Sequence, residues 1–130
     1  MSRVRRMYHE KEEWIRFLSG KEWDYYMTLT FKGTPSESHA RRAANNFMKM
    51  HPSPELAFIV FEGFGRVNPH LHGLIKFPSP QKPTASSLCE RWYERNGQAK
   101  IEPPESVEAA AGYCCKHLTP DSYELYSNGK

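Results

Sequence analysis

The sequence predicts an α+β fold with an antiparallel sheet and helices packed on it. Two observations predict it. In some segments apolar residues recur at helical spacing, whereas in others they alternate with polar residues, which is typical of half-buried strands. After an N-terminal helix, the predicted order is strand, helix, strand, strand, helix, strand, helix. The 130 residues are enough for one domain with a modest core.

The first half of the chain divides at clear start and stop signals. Helical spacing predicts a first helix over residues 4–18, and Gly20 ends it. Residues 25–31 alternate as a strand that places Tyr26, Thr28 and Thr30 on one face. Residues 34–37 match a capping box with proline at the first helical position, which predicts the start of a second helix. Pro52 and Pro54 are expected to end this helix.

The second half contains the predicted hairpin and two further helices. Strands are expected at residues 56–62 and 68–77, joined by a hairpin-like loop. The remaining predicted elements are a helix at 86–95, a strand at 98–102 and a helix at 106–118. Residues 119–130 are expected to form a flexible tail. The sequence leaves open whether the chain is one part of a longer protein.

Composition excludes several classes of protein. Eighteen Lys and Arg against fifteen Asp and Glu give a formal charge of +3, which is not the basic stripe of a dedicated duplex-binding protein. Three cysteines, two of them adjacent, form neither a disulfide framework nor a Cys-x-x-Cys zinc pair. We therefore expect a reduced, cytoplasmic chain. No apolar run approaches membrane-spanning length, so no membrane partner is expected.

Two histidines on one predicted strand form a candidate metal site. Side chains two apart in a strand share a face, so His70 and His72 project together while Leu71 projects the other way. The hairpin also brings Glu62 near them as a third ligand. Two imidazoles and a carboxylate leave positions open for phosphate oxygens, and this ligand set suits Mn²⁺ or Mg²⁺.

Tyr113 and Lys116 lie three residues apart on the last predicted helix and share one face. A free tyrosine has a pKa of about 10, so a nearby cation such as Lys116 is needed for it to act as a nucleophile at neutral pH. The apolar stripe of this helix is expected to face the sheet. It consists of Val107, Ala110, Ala111, Cys114 and Leu118. Cys114, Cys115 and His117 are interpreted as packing residues and not as zinc ligands.

Three segments together resemble a known family. Tyr26-Met27-Thr28-Leu29-Thr30-Phe31, Pro69-His70-Leu71-His72-Gly73-Leu74-Ile75 and Tyr113-Cys114-Cys115-Lys116 resemble, in order, the three motifs of HUH endonucleases of the replication-initiator (Rep) type. The second and third motifs are specific in combination. The resemblance implies an RRM-like (ferredoxin-like) sheet with the histidines on a middle strand and the tyrosine helix across it.

The resemblance also implies an activity. His70, His72 and Glu62 would bind the divalent metal, Tyr113 would be the nucleophile, and Lys116 would orient the phosphate. Such enzymes nick single-stranded DNA at an origin, keep the 5′ end as a phosphotyrosine, release a 3′-OH for a polymerase, and rejoin strands by reversal. Rolling-circle replication of a plasmid or virus in a prokaryotic host is the implied setting. The chain has no phosphate-binding helicase loop, so a separate helicase would be a partner.

There are three alternative hypotheses for the function of the chain. A single-tyrosine HUH transposase of an insertion sequence would use the same chemistry, and catalytic residues shared between two subunits would favour it. Conjugative relaxases place their tyrosine ahead of the histidines, which is the opposite order. A non-catalytic RRM-like nucleic-acid binder would require no metal, and it would present aromatic residues on its central strands.

Contacts to DNA are predicted only from residue type. Single strands are bound by basic grooves and by aromatic surfaces on which bases stack. The candidates are Tyr26, Thr28, Thr30, Arg41, Arg42, Lys49, Arg66 and Lys76.

Overall fold

A computed structural model describes residues 3–65 and 68–127, and the side chains of residues 10–65 and 68–127. Over this part of the chain there are four helices and five strands. In chain order they are α1 (Arg3–Ser19), β1 (Tyr25–Leu29), α2 (Glu37–Phe47), β2 (Leu56–Glu62), β3 (His70–Lys76), α3 (Ala85–Arg95), β4 (Ala99–Glu102), α4 (Val107–Cys115) and β5 (Tyr123–Ser127).

The five strands form one sheet in the order β4-β1-β3-β2-β5, and each pair of neighbours is antiparallel. The first four strands have the ferredoxin-like order, in which the first and third strands are central. The predicted α+β class and RRM-like topology are therefore confirmed. The histidine strand, β3, lies in the middle of the sheet between β1 and β2.

One face of the sheet packs against α2 and α3. Met27, Ile59 and Ile75 project from the three central strands into this core, and Ala44 of α2 and Trp92 of α3 complete it. All five are at most 1% exposed. The Trp92 indole N–H also donates a hydrogen bond to the carbonyl of Thr30 at 2.8 Å, so the large ring is buried without losing a polar partner.

The other face packs against α1 and α4. Phe58 and Leu74 project from β2 and β3 toward Leu18 of α1 and toward Ala111 and Cys114 of α4. This agrees with the apolar stripe predicted for the last helix. Because these two helices pack on this face, the sheet carries a hydrophobic core on both sides.

Hydroxyl side chains begin three of the helices. Ser36, Thr84 and Ser106 each accept the backbone N–H of the residue three positions later, which satisfies an otherwise unpaired donor. The predicted start of α2 is wrong by two residues: Ser36, not Thr34, is the N-cap, and Pro35 precedes the helix. Ser36 itself is extended, with φ −72° and ψ 162°, so the helix begins only after it.

The predicted flexible tail is wrong for residues 123–127, which form the edge strand β5 paired with β2. Two side chains hold β5 in place on opposite faces of the sheet. The Tyr123 ring packs against Phe58 and Trp14, with centroids 5.6 and 5.1 Å apart, and the Tyr126 hydroxyl donates to Asn45 Oδ1 at 3.0 Å. These partners lie 65 or more residues away in sequence, so no local pattern indicates the strand.

No helix in the described part of the chain is both long and apolar enough to cross a membrane.

Gly73 of β3 lies in the middle of the sheet, between its ladder partners Met27 of β1 and Ile59 of β2. A Cβ atom at this position would lie 2.6 Å from Ile59 Cδ1 and 2.8 Å from the carbonyl oxygen of Phe58. Distances this short are steric clashes, and one of the clashing atoms belongs to the backbone. The glycine that follows His72 therefore serves the packing of the sheet and not the flexibility of the site.

We predict that Gly73→Ala lowers the free energy of unfolding by about 1–3 kcal/mol, the usual cost of overpacking a core. Denaturant-induced unfolding measures the difference. Gly112→Ala is the matched control, because a Cβ at Gly112 meets nothing within 4 Å inside α4 and should stabilise that helix by about 1 kcal/mol. A Gly73→Ala variant as stable as the parent protein would contradict the close approach.

Candidate metal centre and tyrosine cleft

The β2–β3 hairpin brings three metal-ligating side chains to one point. Glu62 pairs directly with His70 in the ladder, and His72 lies two residues further along the same face. Gly63 and Gly65 have positive φ values of 83° and 80°, which the turn requires and glycine adopts at little cost. The predicted proximity of Glu62 to both histidines is confirmed.

The ligand atoms of the three residues face one another closely. The Nε2 atoms of His70 and His72 are 2.9 Å apart, and Glu62 Oε1 is 3.4 Å from each of them. All three side chains are partly buried, and their ligand atoms lie within 4.8 Å of one another. Three donors at such distances can converge on a single cation.

The backbone orients His70 so that Nε2 is free to act as a ligand. His70 Nδ1 donates to the carbonyl oxygen of Asn68 at 2.7 Å. A carbonyl oxygen only accepts, so this nitrogen carries the proton and Nε2 of the neutral ring keeps its lone pair. Asn68 adopts a left-handed conformation with a φ of 57°, which asparagine tolerates better than most residues. A metal-binding histidine usually donates its second ring N–H to such an outer partner, an acceptor that does not itself bind the metal.

Burial shapes the electrostatics of the cluster. Burial lowers the pKa of His72, although the Glu62 carboxylate opposes this shift, and a lower pKa favours the neutral ring that can ligate a metal. Glu62 Oε2 is buried and has no hydrogen-bond partner in the described structure. A buried carboxylate oxygen without a partner is costly, and a bound cation would satisfy it.

These observations fit a metal ion. The orphaned carboxylate oxygen and the two facing imidazole nitrogens can each donate an electron pair to a cation held between them. Glu62, His70 and His72 are therefore a group able to hold a metal ion.

Helix α4 lies over the same face of the sheet and presents Tyr113 outward. Its buried side, which includes Ala110 and Cys114, packs against β2 and β3, and Tyr113 on the other side is 63% exposed. Tyr113 lines a cleft of about 300 Å³ together with Tyr26, Glu102 and Glu105. The Tyr26 hydroxyl is 3.2 Å from His72 Nδ1, so this cleft borders the metal cluster.

Lys116 follows α4 as its C-cap and is exposed. Its backbone N–H donates to the carbonyl of Tyr113, which keeps the two residues one turn apart as predicted. No carboxylate in the described structure lies within 4 Å of its ammonium group. The charge of Lys116 is therefore free to meet an anion.

The predicted packing role is correct for the two cysteines and wrong for His117. Cys114 and Cys115 are fully buried, and burial raises the pKa of Cys115 to about 11, so this thiol stays protonated at neutral pH. His117 is exposed and lines an open groove of about 680 Å³ with Glu62 and His70. Its position four residues after Tyr113, on the same helical face, is the sequence signal that could have identified it.

The predicted DNA contacts lie on different surfaces. Thr28 is the ladder partner of His72, and Lys76 lies on the same face of β3, where it forms an ion pair with Glu55 at 3.8 Å. The Thr30 hydroxyl donates to the carbonyl of Gln98 at 3.1 Å. Tyr26 lies at the metal cluster itself.

Three of the basic candidates, Arg41, Arg42 and Lys49, lie away from the cluster. Arg41 and Arg42 lie on α2, which packs on the opposite face of the sheet, and Lys49 follows that helix. The Arg41 guanidinium forms ion pairs with Glu37 and Glu124 at 2.9 and 2.8 Å. Arg66 lies outside the described residues.

Comparison of the chain with protein-family models, with curated proteins and with solved structures finds no match in any of the three. A proposal of function therefore depends on the geometry of this site and on the resemblance of the three sequence motifs.

We predict that Mn²⁺ raises the thermal stability of the protein, because a ligand that binds only the folded state stabilises it by about 2.7 kcal/mol at one hundred times its Kd. Glu62→Gln should remove most of this shift, since it keeps the shape of the side chain and removes the charge. Glu55→Gln, at a carboxylate paired with Lys76 away from the cluster, should keep the shift. The measurement is thermal unfolding of the parent protein and of both variants at increasing Mn²⁺ concentration. Equal increases in Tm for all three proteins would refute the site.

Proposed function

We propose that the protein is an HUH-type replication initiator: a metal-dependent endonuclease and strand transferase that nicks single-stranded DNA at an origin. Tyr113 is the nucleophile, and Glu62, His70 and His72 hold the divalent metal. The products of nicking are a 5′-phosphotyrosine and a free 3′-OH. Reversal of the attack rejoins the strands.

One observation carries the proposal most directly: the cluster Glu62, His70 and His72 lies on the face of the sheet that α4 covers, and α4 presents Tyr113 outward. Tyr26 connects the two parts, because it lines the cleft with Tyr113 and its hydroxyl contacts His72. Tyr26 therefore lies between the metal cluster and the exposed phenol of Tyr113, all on a single chain. The three motifs resembling HUH endonucleases contain Tyr26, His70, His72 and Tyr113, and Glu62 precedes the second motif.

The ligand set favours Mn²⁺ or Mg²⁺ as the metal. One carboxylate and two imidazoles leave positions for phosphate oxygens, in contrast to a closed structural zinc site. When bound, the divalent cation supplies a Lewis acid that polarises and positions the scissile phosphate.

The reaction is a transesterification at phosphorus. The Tyr113 oxygen attacks the phosphorus atom, the bond from phosphorus to the 3′ oxygen breaks, and a proton replaces phosphorus on that oxygen. The phenolic proton is lost to solvent, so no oxidant or further reactant is needed. The ammonium group of Lys116, one turn from Tyr113, stabilises the negative charge on the phosphate.

Proposed partners follow from the reaction. The free 3′-OH is a primer for a polymerase, and unwinding requires a separate helicase because the chain has no phosphate-binding helicase loop. The substrate is the origin of a plasmid or virus, and the reaction takes place in the cytoplasm of a prokaryotic host. Of the predicted DNA contacts, Tyr26 lines this cleft, and Thr28 and Lys76 project from the same face of the sheet.

Two alternatives are less well supported. A single-tyrosine transposase would use the same atoms, but Tyr113 and the metal cluster of its own chain share Tyr26 as a neighbour, which favours an initiator over an enzyme that completes its site with a partner's tyrosine. A non-catalytic RRM-like binder would need an open sheet with aromatic residues. Here α1 and α4 cover much of that face, and β3 presents His70 and His72 on it.

We predict that Tyr113→Phe abolishes a covalent protein–DNA adduct, because it removes the attacking oxygen and keeps the ring. The parent protein incubated with labelled single-stranded origin oligonucleotides should give a shifted band on a denaturing gel, and only with Mn²⁺ or Mg²⁺. Oligonucleotide binding by the variant should stay within about threefold of the parent value, since one hydroxyl contributes little to a surface of this size.

Tyr93→Phe is the matched control, because Tyr93 is also exposed, at 55%, but lies on α3 on the other side of the sheet. Its adduct should be as strong as that of the parent protein. Tyr123 and Tyr126 are poor substitutes for Tyr113, since their hydroxyls donate to Glu10 and Asn45. An adduct that persists in Tyr113→Phe would overturn the assignment of the nucleophile.

A further inference from the structure

We propose that Tyr26 is a positioning residue for the metal centre: its hydroxyl holds the His72 ring through Nδ1 so that Nε2 faces Glu62 and His70. This inference rests on the proposed metal site and assigns a role to a residue outside the ligand set. It replaces the role predicted from sequence, in which Tyr26 contacts DNA.

The contact between Tyr26 and His72 is defined by both a distance and a ring orientation. The Tyr26 oxygen is 3.2 Å from His72 Nδ1, and the two rings are nearly parallel, with an interplanar angle of 13°. Tyr26 on β1 and His72 on β3 lie on the same face of two adjacent central strands, where neither backbone can shift easily. Tyr26 is therefore fixed relative to the ring that it contacts.

The two histidines thus have different outer partners. His70 is held by the carbonyl of Asn68, which only accepts and therefore permits a single tautomer. His72 is held by a hydroxyl, which can donate or accept. A hydroxyl partner lets His72 change tautomer without losing its hydrogen bond.

This freedom matters because the cluster needs different tautomers with and without a cation. Without one, the 2.9 Å contact between the two Nε2 atoms requires a proton on one of them, and His70 is excluded by its bond to Asn68. The proton is then on His72 Nε2, and the Tyr26 O–H donates to His72 Nδ1. To ligate a cation, His72 must instead carry its proton on Nδ1, and the Tyr26 oxygen accepts it.

The test is isothermal titration of Mn²⁺ into the full chain and its variants. Tyr26→Phe should weaken Mn²⁺ binding by about 10–100-fold, the usual effect of removing an outer partner of a metal-binding histidine. Tyr25→Phe is the matched control. It removes a hydroxyl from the adjacent residue of β1, on the opposite face, where that hydroxyl donates to the carbonyl of Pro83 at 2.6 Å. Its Mn²⁺ affinity should stay within about twofold of the parent value.

A second comparison separates positioning from a general loss of stability. In a His72→Ala background, Tyr26→Phe should have no further effect on Mn²⁺ affinity, because the residue that it positions is absent. Additive losses would overturn the inference, as would unchanged affinity in Tyr26→Phe alone while the parent protein binds Mn²⁺. If the parent protein binds no Mn²⁺, the metal site and the proposed function fail together with this inference.

Discussion

The pairing register of β2 and β3 is the constraint on which the site depends. It places Glu62 directly opposite His70 and sets His72 on the same face two residues further on. Because side chains alternate across a strand, a slip of one residue would turn both histidines into the core that α2 and α3 close. Leu71 and Ile75 project from the same strand into that core and resist the slip, so the hydrophobic effect specifies the position of the polar cluster.

The two faces of the sheet differ in composition: one is an apolar core, and the other carries the metal cluster. The face toward α2 and α3 is filled by apolar side chains from all three central strands, and Gly73 allows these strands their close contact. The face toward α1 and α4 combines an apolar region around Phe58 and Leu74 with the metal cluster, where Glu62 and His70 line the groove of His117 and Tyr26 lies between His72 and the Tyr113 cleft. The first face supplies rigidity, and a metal centre needs ligands whose positions do not relax.

Sequence patterns predict the elements that depend on local spacing. The helices, the first four strands, the His70, His72 and Glu62 cluster and the exposure of Tyr113 all follow from periodicity and turn signals within short segments. The edge strand β5 could not be predicted, since Tyr123 and Tyr126 are held by partners far along the chain. The contact between Tyr26 and His72 also depends on which strands become neighbours, and periodicity alone does not determine strand order.

The central claim is that Glu62, His70 and His72 bind a divalent cation beside the Tyr113 cleft. Anomalous diffraction from crystals of the protein soaked in Mn²⁺ tests it most directly, because the signal locates the ion without reference to activity. We expect a peak within bonding distance of Glu62 and of the Nε2 atoms of both histidines. A map in which Mn²⁺ binds elsewhere, with His70 and His72 still in direct contact, would contradict the claim.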